Sequence, residues 1–133
     1  MANTLICDVV TPEAMLFSGT AVMVGAPAGE GDIGLMHQCS PLMSTLKRGT
    51  IRIKGENEET TVFAVDGGYL EADGHKVVVL ASHAINVAEI DKDYSKDRIA
   101  ADEKNLAAMS EDDPSRAFAE AELSWQQYLL SLV

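Results

Sequence analysis

The sequence predicts an all-β sandwich followed by an antiparallel helical hairpin, and three observations carry that prediction. Short β-rich runs separated by turn signals recur about every eight to twelve residues as far as residue 86, the spacing of a sandwich or barrel. From Ile90 to Met109 the chain is instead rich in Ala, Lys, Glu and Asp, with no Gly or Pro. Between Gly25 and Ile53, five glycines and two prolines hinge a loop that resolves into Thr50-Ile51-Arg52-Ile53-Lys54, where apolar and charged residues alternate as on a strand with one wet face.

Taken in order, Thr4 to Val10 is a first strand, closed by Thr11-Pro12. Ala14–Ser18 and Thr20–Ala26 follow, divided at Gly19, and Val22 and Val24 alternate with Ala21 and Met23. Gly29, Gly31 and Gly34 are candidates for positive φ at a tight corner. Pro41 opens the next run, whose Leu42, Met43 and Leu46 are expected to supply apolar contacts, and Lys47-Arg48-Gly49 turns the chain. Glu56 to Glu59 reads as a solvated hairpin tip, from which Thr60–Val65 returns beside the Ile51 strand. Asp66-Gly67-Gly68 reads as a further turn, Tyr69–Ala72 as a brief strand and Asp73-Gly74 as a hairpin loop. Val77–Leu80 is apolar throughout and is placed centrally in a sheet.

In the helical part, Asp91 is the expected N-cap of a first helix ending near Met109. Asp113 followed by Pro114 is expected to start a second, running to about Leu132. Phe118, Ala121, Trp125, Tyr128 or Leu129, and Leu132 recur at helical spacing, while Ile99, Leu106 and Met109 form a narrower stripe. The alanines at 100, 101, 107, 108, 117, 119 and 121 are expected to let the helices approach closely. The expected domains are therefore residues 1–86 and 87–133.

Composition bounds the function. With 133 residues the chain carries one main core, and a net charge of −11, from 21 acidic against 10 basic residues, argues against nucleic acid or anionic lipid as partner and for protein. No run reaches the roughly 18 apolar residues of a membrane span, and the N-terminus has no signal-peptide pattern, so a cytoplasmic protein is expected. The two cysteines, Cys7 and Cys39, read as reduced thiols.

Catalytic chemistry finds no constellation. His37 and Cys39 are too few for a closed zinc site, which takes four ligands, and Ser40 and Ser82 lack the glycine-flanked elbow that exposes a nucleophile. The glycines near Gly29 are followed by neither Gly-Lys-Ser/Thr nor a helix, so they do not read as a phosphate cradle. Glu111-Asp112-Asp113 lacks the spacing of a calcium loop. No cofactor and no metal are expected.

The motifs in sequence are Asp8-Val9-Val10-Thr11-Pro12-Glu13 with Phe17-Ser18, Gly31-Asp32-Ile33-Gly34-Leu35 leading to Ser40-Pro41-Leu42, Leu46 to Ile53, Gly67-Gly68-Tyr69-Leu70-Glu71, and Val77 to Ala81. In this order, and followed by a helical hairpin, they resemble the epsilon subunit of bacterial F-type ATP synthases over nearly the full chain. The resemblance implies a sandwich of about ten strands and two helices, in the central stalk beside the gamma subunit and against the ring of c subunits, at the cytoplasmic face of the plasma membrane. It implies a non-catalytic subunit that couples proton-driven ring rotation to ATP synthesis, with a hairpin able to reach the alpha/beta catalytic head and restrain hydrolysis. By the same resemblance the ring contact falls on Glu30, Gly31, Asp32 and His37, and the hairpin contacts on Phe118, Trp125, Tyr128 and Leu129.

Two stretches depart from the family pattern. His37-Gln38-Cys39-Ser40-Pro41-Leu42 replaces Pro-Gly-His-Ala-Pro-Leu, so no role passes to His37 from the family's histidine. Ile90-Asp91 keeps the start of a motif that binds ATP in some relatives, but Tyr94 stands where the arginine would be. Arg116 is the one basic residue of the second helix, against Glu120 and Glu122, so hairpin contacts are expected to be apolar. Two further readings stay open on the residues: a free-standing adaptor in which sandwich and hairpin each bind a protein, and a small thiol or metal enzyme built on His37 and Cys39.

Overall fold

The computed structural model describes residues 3–133, in two compact units, one ending at Asn86 and the other Val87–Val133. The first holds eight strands: β1 (Leu5–Val10), β2 (Met15–Ala21), β3 (Met23–Ala28), β4 (Gly31–Leu35), β5 (Leu42–Thr45), β6 (Gly49–Lys54), β7 (Thr60–Ala72) and β8 (Lys76–Asn86). The hydrogen-bonded order is β2-β1-β8-β7-β6-β3-β4, with β5 also on β7, and all pairs are antiparallel except β1 with β8.

β7 and β8 hold the unit together. They pair in one register from Phe63↔Asn86 to Ala72↔Val77, passing from Asp66↔His83 to Gly68↔Ala81 without a pair at Gly67, and each serves two layers. Lys76–Leu80 of β8 takes β1 on its other side, and Tyr69–Ala72 of β7 takes β5, so the first layer is β2, β1, β8, β7, β5. Thr60–Val65 of β7 takes β6, which extends the second layer to β3 and β4. Because β7 and β8 count in both layers, eight strands supply the ten strand segments expected.

Asp66-Gly67-Gly68 is therefore a corner inside β7, not a turn between two strands. Gly67 and Gly68 have φ of 72° and 118°, and a Cβ on Gly68 would lie 2.0 Å from the Leu80 carbonyl oxygen. β5 and β6 pass the same corner on the other edge of β7. Leu46 N donates to Gly68 O at 2.9 Å, while Lys47 and Arg48 step out of the ladder. Arg48 then closes the corner with two hydrogen bonds to Asp66, Nε to Oδ1 at 3.0 Å and Nη2 to Oδ2 at 3.1 Å.

Period-two alternation fills the space between the layers. Leu5, Cys7 and Val9 of β1, Ile51 and Ile53 of β6, and Val77 and Val79 of β8 point inward and are buried, while Arg52 and Lys54 stay in water. Each such aliphatic side chain contributes about 1.5–3 kcal/mol when fully buried. The Phe17 ring meets Phe63 edge-on, with centroids 6.1 Å apart.

Several local expectations are corrected. The break after β2 falls at Val22 rather than Gly19; Gly19 stays in the ladder opposite Cys7, where its missing side chain leaves room for the Phe17 ring. Of the three hinge glycines only Gly31 has a positive φ, 134°; Gly29 instead packs against Thr45 Oγ1, and Gly34 pairs with Gly25 in the β3–β4 ladder. Leu42 and Met43 point largely to solvent because β5 is an edge strand, and Leu46 is the one of the three that is buried. The β7–β8 loop is Gly74-His75, one residue on from Asp73-Gly74. Asp73 flanks it, its backbone N–H donating to Lys76 O and its Oδ1 accepting from the backbone N–H groups of His75 and Lys76, both at 2.8 Å.

The second unit begins with a single 3-10 turn, Val87–Glu89, and holds α1 (Lys92–Ala108) and α2 (Arg116–Ser131). Asp91 caps α1 as expected, Oδ1 accepting from Asp93 N at 3.0 Å and Tyr94 N at 3.2 Å. The regular part of α2 starts later than expected, at Arg116, but Asp113 still serves its entry, accepting from Ser115 N at 2.8 Å. The expected stripe of α2 is split: Leu129 is buried and Trp125, Tyr128 and Leu132 are half-buried, while Phe118 and Ala121 are exposed. Glu122, Leu123, Gln126 and Leu129 lie on the covered side and Phe118 is 73% exposed. Except for Ala119, the alanines credited with close approach are exposed.

Gly68→Ala should therefore destabilise the first unit by on the order of 3 kcal/mol or more, since it adds a backbone clash to a strained φ. Gly31→Ala, where a Cβ would meet nothing within 4 Å, should cost only on the order of 1–3 kcal/mol. Urea unfolding followed by circular dichroism measures both, and equal costs would refute the corner assignment.

Candidate interaction surfaces

No arrangement for catalysis emerges from the geometry. Cys7 is fully buried, and desolvation first, with the Asp8 carboxylate second, pushes its thiol up to about 12, which leaves no thiolate to attack anything. His37 lies edge-on to His75, with ring centroids 5.6 Å apart, and among the described residues no group of three potential ligands stands ready for a metal. Cys39 is half-buried against the core.

The surface features are of another kind. In the first layer the same alternation that buries Leu5, Cys7 and Val9 turns Ile6, Asp8 and Val10 outward. The registers bring them level with Lys76, Val78 and Leu80 of β8, Tyr69 and Glu71 of β7, Met43 of β5 and Met15 of β2. Ile6, Met15, Met43, Tyr69 and Leu80 are between 48% and 70% exposed, so one sheet face is largely apolar, with Asp8, Glu71 and Lys76 set among these side chains. An open groove of about 360 Å³ runs between Val10, Pro12, Tyr69 and Leu80. Soluble proteins rarely leave such a patch without a partner.

Asp8 is set into this patch with its charge compensated. Only 7% exposed, it accepts from Ser18 Oγ at 2.7 Å and pairs with Lys76 Nζ at 3.1 Å. The Ser18 hydrogen bond, then Lys76, holds its carboxyl below the usual aspartate range despite the opposing effect of burial.

The residues expected at the ring contact fall in two places. Glu30, Gly31 and Asp32 form the exposed β3–β4 tip, anchored through Gly29 N to Thr45 O at 2.9 Å and Lys47 N to Pro27 O at 2.8 Å. His37 lies beyond the other end of β4, where Gln38 N donates to Gly74 O at 2.7 Å and fastens this loop to the β7–β8 turn. The length of β4, roughly 3.3 Å per residue, separates the two.

In the hairpin the expected contact residues also divide. Leu129 is buried, whereas Phe118 points to solvent and Trp125 stacks on Tyr128, with centroids 5.9 Å apart. Ile90 and Asp91 stand at the entry to α1, Asp91 engaged as its cap and Tyr94 58% exposed beside it. The sequence reading misses two features. One is the outward face of the first layer, hidden because LICDVV and VVVL are apolar on both sides. The other is a polar seam between the helices, where Arg98 bonds Glu122 across the hairpin, Nε to Oε1 at 3.1 Å, and Asp102 one turn on. Three i,i+4 steps, Arg98–Asp102, Glu122–Gln126 and Arg116–Glu120, were the available signal.

Comparison with known proteins places these features in a family. Residues 4–87 match the family described as "ATP synthase, Delta/Epsilon chain, beta-sandwich domain". The chain is 37% identical over 110 residues to the ATP synthase epsilon chain 1 of Methylococcus capsulatus, covering 83% of this chain and 79% of that one. It is 36% identical over 120 residues to the ATP synthase epsilon chain of Parvibaculum lavamentivorans, covering 90% and 91%. In fold it is similar to a chain of the Euglena gracilis mitochondrial ATP synthase, with a TM-score of 0.74 at 16% identity, over 98% of this chain and 81% of that one.

The state of Asp8 predicts how stability follows pH. A carboxyl whose folded pKa is depressed adds stability that is complete above its unfolded value, near pH 4, and is lost as pH falls through the lower folded value. Asp8→Asn should therefore be less stable than the parent at pH 7, with the gap closing towards pH 2. Denaturant midpoints at pH 7, 4 and 2 check it, and a gap independent of pH would overturn it.

Proposed function

The chain belongs to the ATP synthase delta/epsilon family as an epsilon chain, a non-catalytic subunit of that complex, and from this premise we propose how it joins its partners. The outward apolar face of the first layer packs against the gamma subunit. The exposed tip Glu30-Gly31-Asp32 faces the ring of c subunits, where two carboxylates suit basic groups; His37, beyond the other end of β4, lies apart from that tip and is not part of the contact. The subunit then travels with the rotor and transmits proton-driven rotation of the ring towards ATP synthesis. Phe118, Trp125 and Tyr128 of the hairpin are the contacts with the alpha/beta head through which hydrolysis is restrained, while Leu129 supports them from inside.

The observation that carries this reading is the apolar face itself. Five large apolar side chains stand exposed on one side of a sheet whose other side is the core; of the two carboxylates among them, Asp8 is neutralised by Lys76 and Ser18, and Glu71 is exposed. Such a surface is suited to a permanent neighbour. The solved relatives support the setting, since one is a chain of a Tetrahymena thermophila mitochondrial assembly described as central stalk and c-ring, similar with a TM-score of 0.56 at 12% identity. No helix among the described residues is long and apolar enough to cross a membrane; in this reading the subunit sits peripherally, at the cytoplasmic face, as part of the complex. Family membership sets aside the adaptor and the thiol enzyme.

Nothing in the geometry at Ile90 and Asp91 favours bound ATP. Asp91 is engaged in capping α1, and the side chain presented beside it is Tyr94, which has no positive charge to offer a phosphate.

Two experiments test the proposal. Leu80→Glu with Tyr69→Ser should weaken binding to purified gamma subunit at least tenfold, the scale of losing central apolar anchors. Glu30→Lys with Asp32→Lys should leave gamma binding intact and weaken assembly on the ring in a salt-dependent way. Gamma binding unaffected by the first pair would sink the assignment of the face, and ring assembly unaffected by the second at low salt that of the tip. Separately, we propose that residues 1–86 fold on their own. A chain ending at Val87 should keep a cooperative β-sheet transition by circular dichroism, and aggregation or loss of that signal would show one shared core.

A further inference from the structure

The seam between α1 and α2 is unusual in what it buries. Ser95 and Asp102 of α1 and Gln126 of α2 are each more than nine-tenths covered, and Asp102 Oδ2 and Gln126 Oε1 have no hydrogen-bond partner among the described residues. Beside them Leu129 is the one buried apolar side chain among the described residues of this unit; Ile99, Leu106 and Leu123 are half-buried, and Phe118 and Tyr94 are exposed. Buried acceptors without donors oppose closure, and a half-satisfied polar network is worse than an apolar one.

One group counters this. The Arg98 guanidinium bonds Glu122 of α2 through both Nε and Nη2 and reaches Asp102 Oδ1 of its own helix at 3.5 Å, and Glu122, then Asp102, holds its proton more tightly than usual. Arg116 adds a second tie at the loop end, its Nη1 donating to the carbonyl oxygens of Leu106 and Met109, both at 3.4 Å. We propose that Arg98 is an electrostatic latch: the hairpin is closed by charge compensation at Arg98, Glu122 and Asp102, and apolar packing does not suffice to hold it. Without Arg98, Asp102 is a covered carboxylate with no partner, and the helices part. Arg116 then acts as the hinge. The latch concerns α1 and α2 alone and stands whether or not the stalk contacts proposed above are right.

The test is a distance across the open end of the hairpin. Nitroxide labels go on Lys96→Cys and Gln127→Cys, both exposed positions, in the full chain with Cys39→Ser; Cys7 is buried and stays unlabelled. At about 0.05 M salt one short distance is expected. At about 1 M salt, where charges are screened beyond about 3 Å, a long-distance population should grow severalfold. Arg98→Gln should raise the open-to-closed ratio about tenfold or more at either salt. Arg98→Met with Asp102→Leu and Glu122→Leu should restore the short distance and remove the salt dependence. The latch is refuted if Arg98→Gln stays closed, or if the triple variant is as open as the single one. Should Arg98→Gln lose its helices by circular dichroism, the triple variant decides alone: closed supports the latch and open overturns it.

Discussion

The β7–β8 ladder is the constraint on which the first unit depends. A sandwich needs its two layers joined, and here the joint is a continuous pair of strands that bends while keeping its register from end to end. That bend is sterically permitted at one point, because only a residue without Cβ can lie 2.0 Å from the Leu80 carbonyl oxygen along the Cβ direction. Everything lateral follows from it. β1 and β5 attach beyond the corner and β6 before it, so the position of Gly68 fixes which residues face the core and which face outward. Arg48 and Asp66 fasten the outer side of the same bend.

Much of this was legible in the residues, and the failures have a common cause. Alternation in Thr50–Lys54 marks a strand because one of its faces is wet, and Asp91 marks a helix start because its carboxylate satisfies local donors. Both are local signals. Asp66-Gly67-Gly68 has the composition of a turn, and what makes it a corner is the Leu80 carbonyl in β8, twelve residues beyond Gly68. Gly19 likewise looks like a break, and what keeps it in the strand is the Phe17 ring lying over it. Where a residue's conformation is set by something distant in sequence, composition points to a plausible but different answer.

The candidate surfaces follow the same division. A strand that is apolar on both faces, such as Lys76–Leu80, announces a central position but not which face remains uncovered, so Leu80 and Ile6 are found only once the register is known. In α2 the hydrophobic stripe is informative in the opposite sense. Phe118 is the kind of residue that normally marks the buried side, yet the side turned to α1 carries Glu122 and Gln126. A helix that keeps polar groups inward and leaves a phenylalanine exposed has apolar surface to offer a further neighbour.

The parallel pairing of β1 with β8 has a consequence for how the protein is made. Ile6 aligns with Lys76, about 70 residues later, so during synthesis β1 is without one of its two neighbours until nearly all of the first unit has been made. Of the pairings of β1 only that with β2 can form early, and it carries an open edge and the apolar side chains of both its faces into that interval. Loop closure over such a separation makes sheet assembly slow relative to the helices, whose contacts are local. The helical segment, which emerges after the strands, can acquire its shape while the sheet before it is still waiting to close.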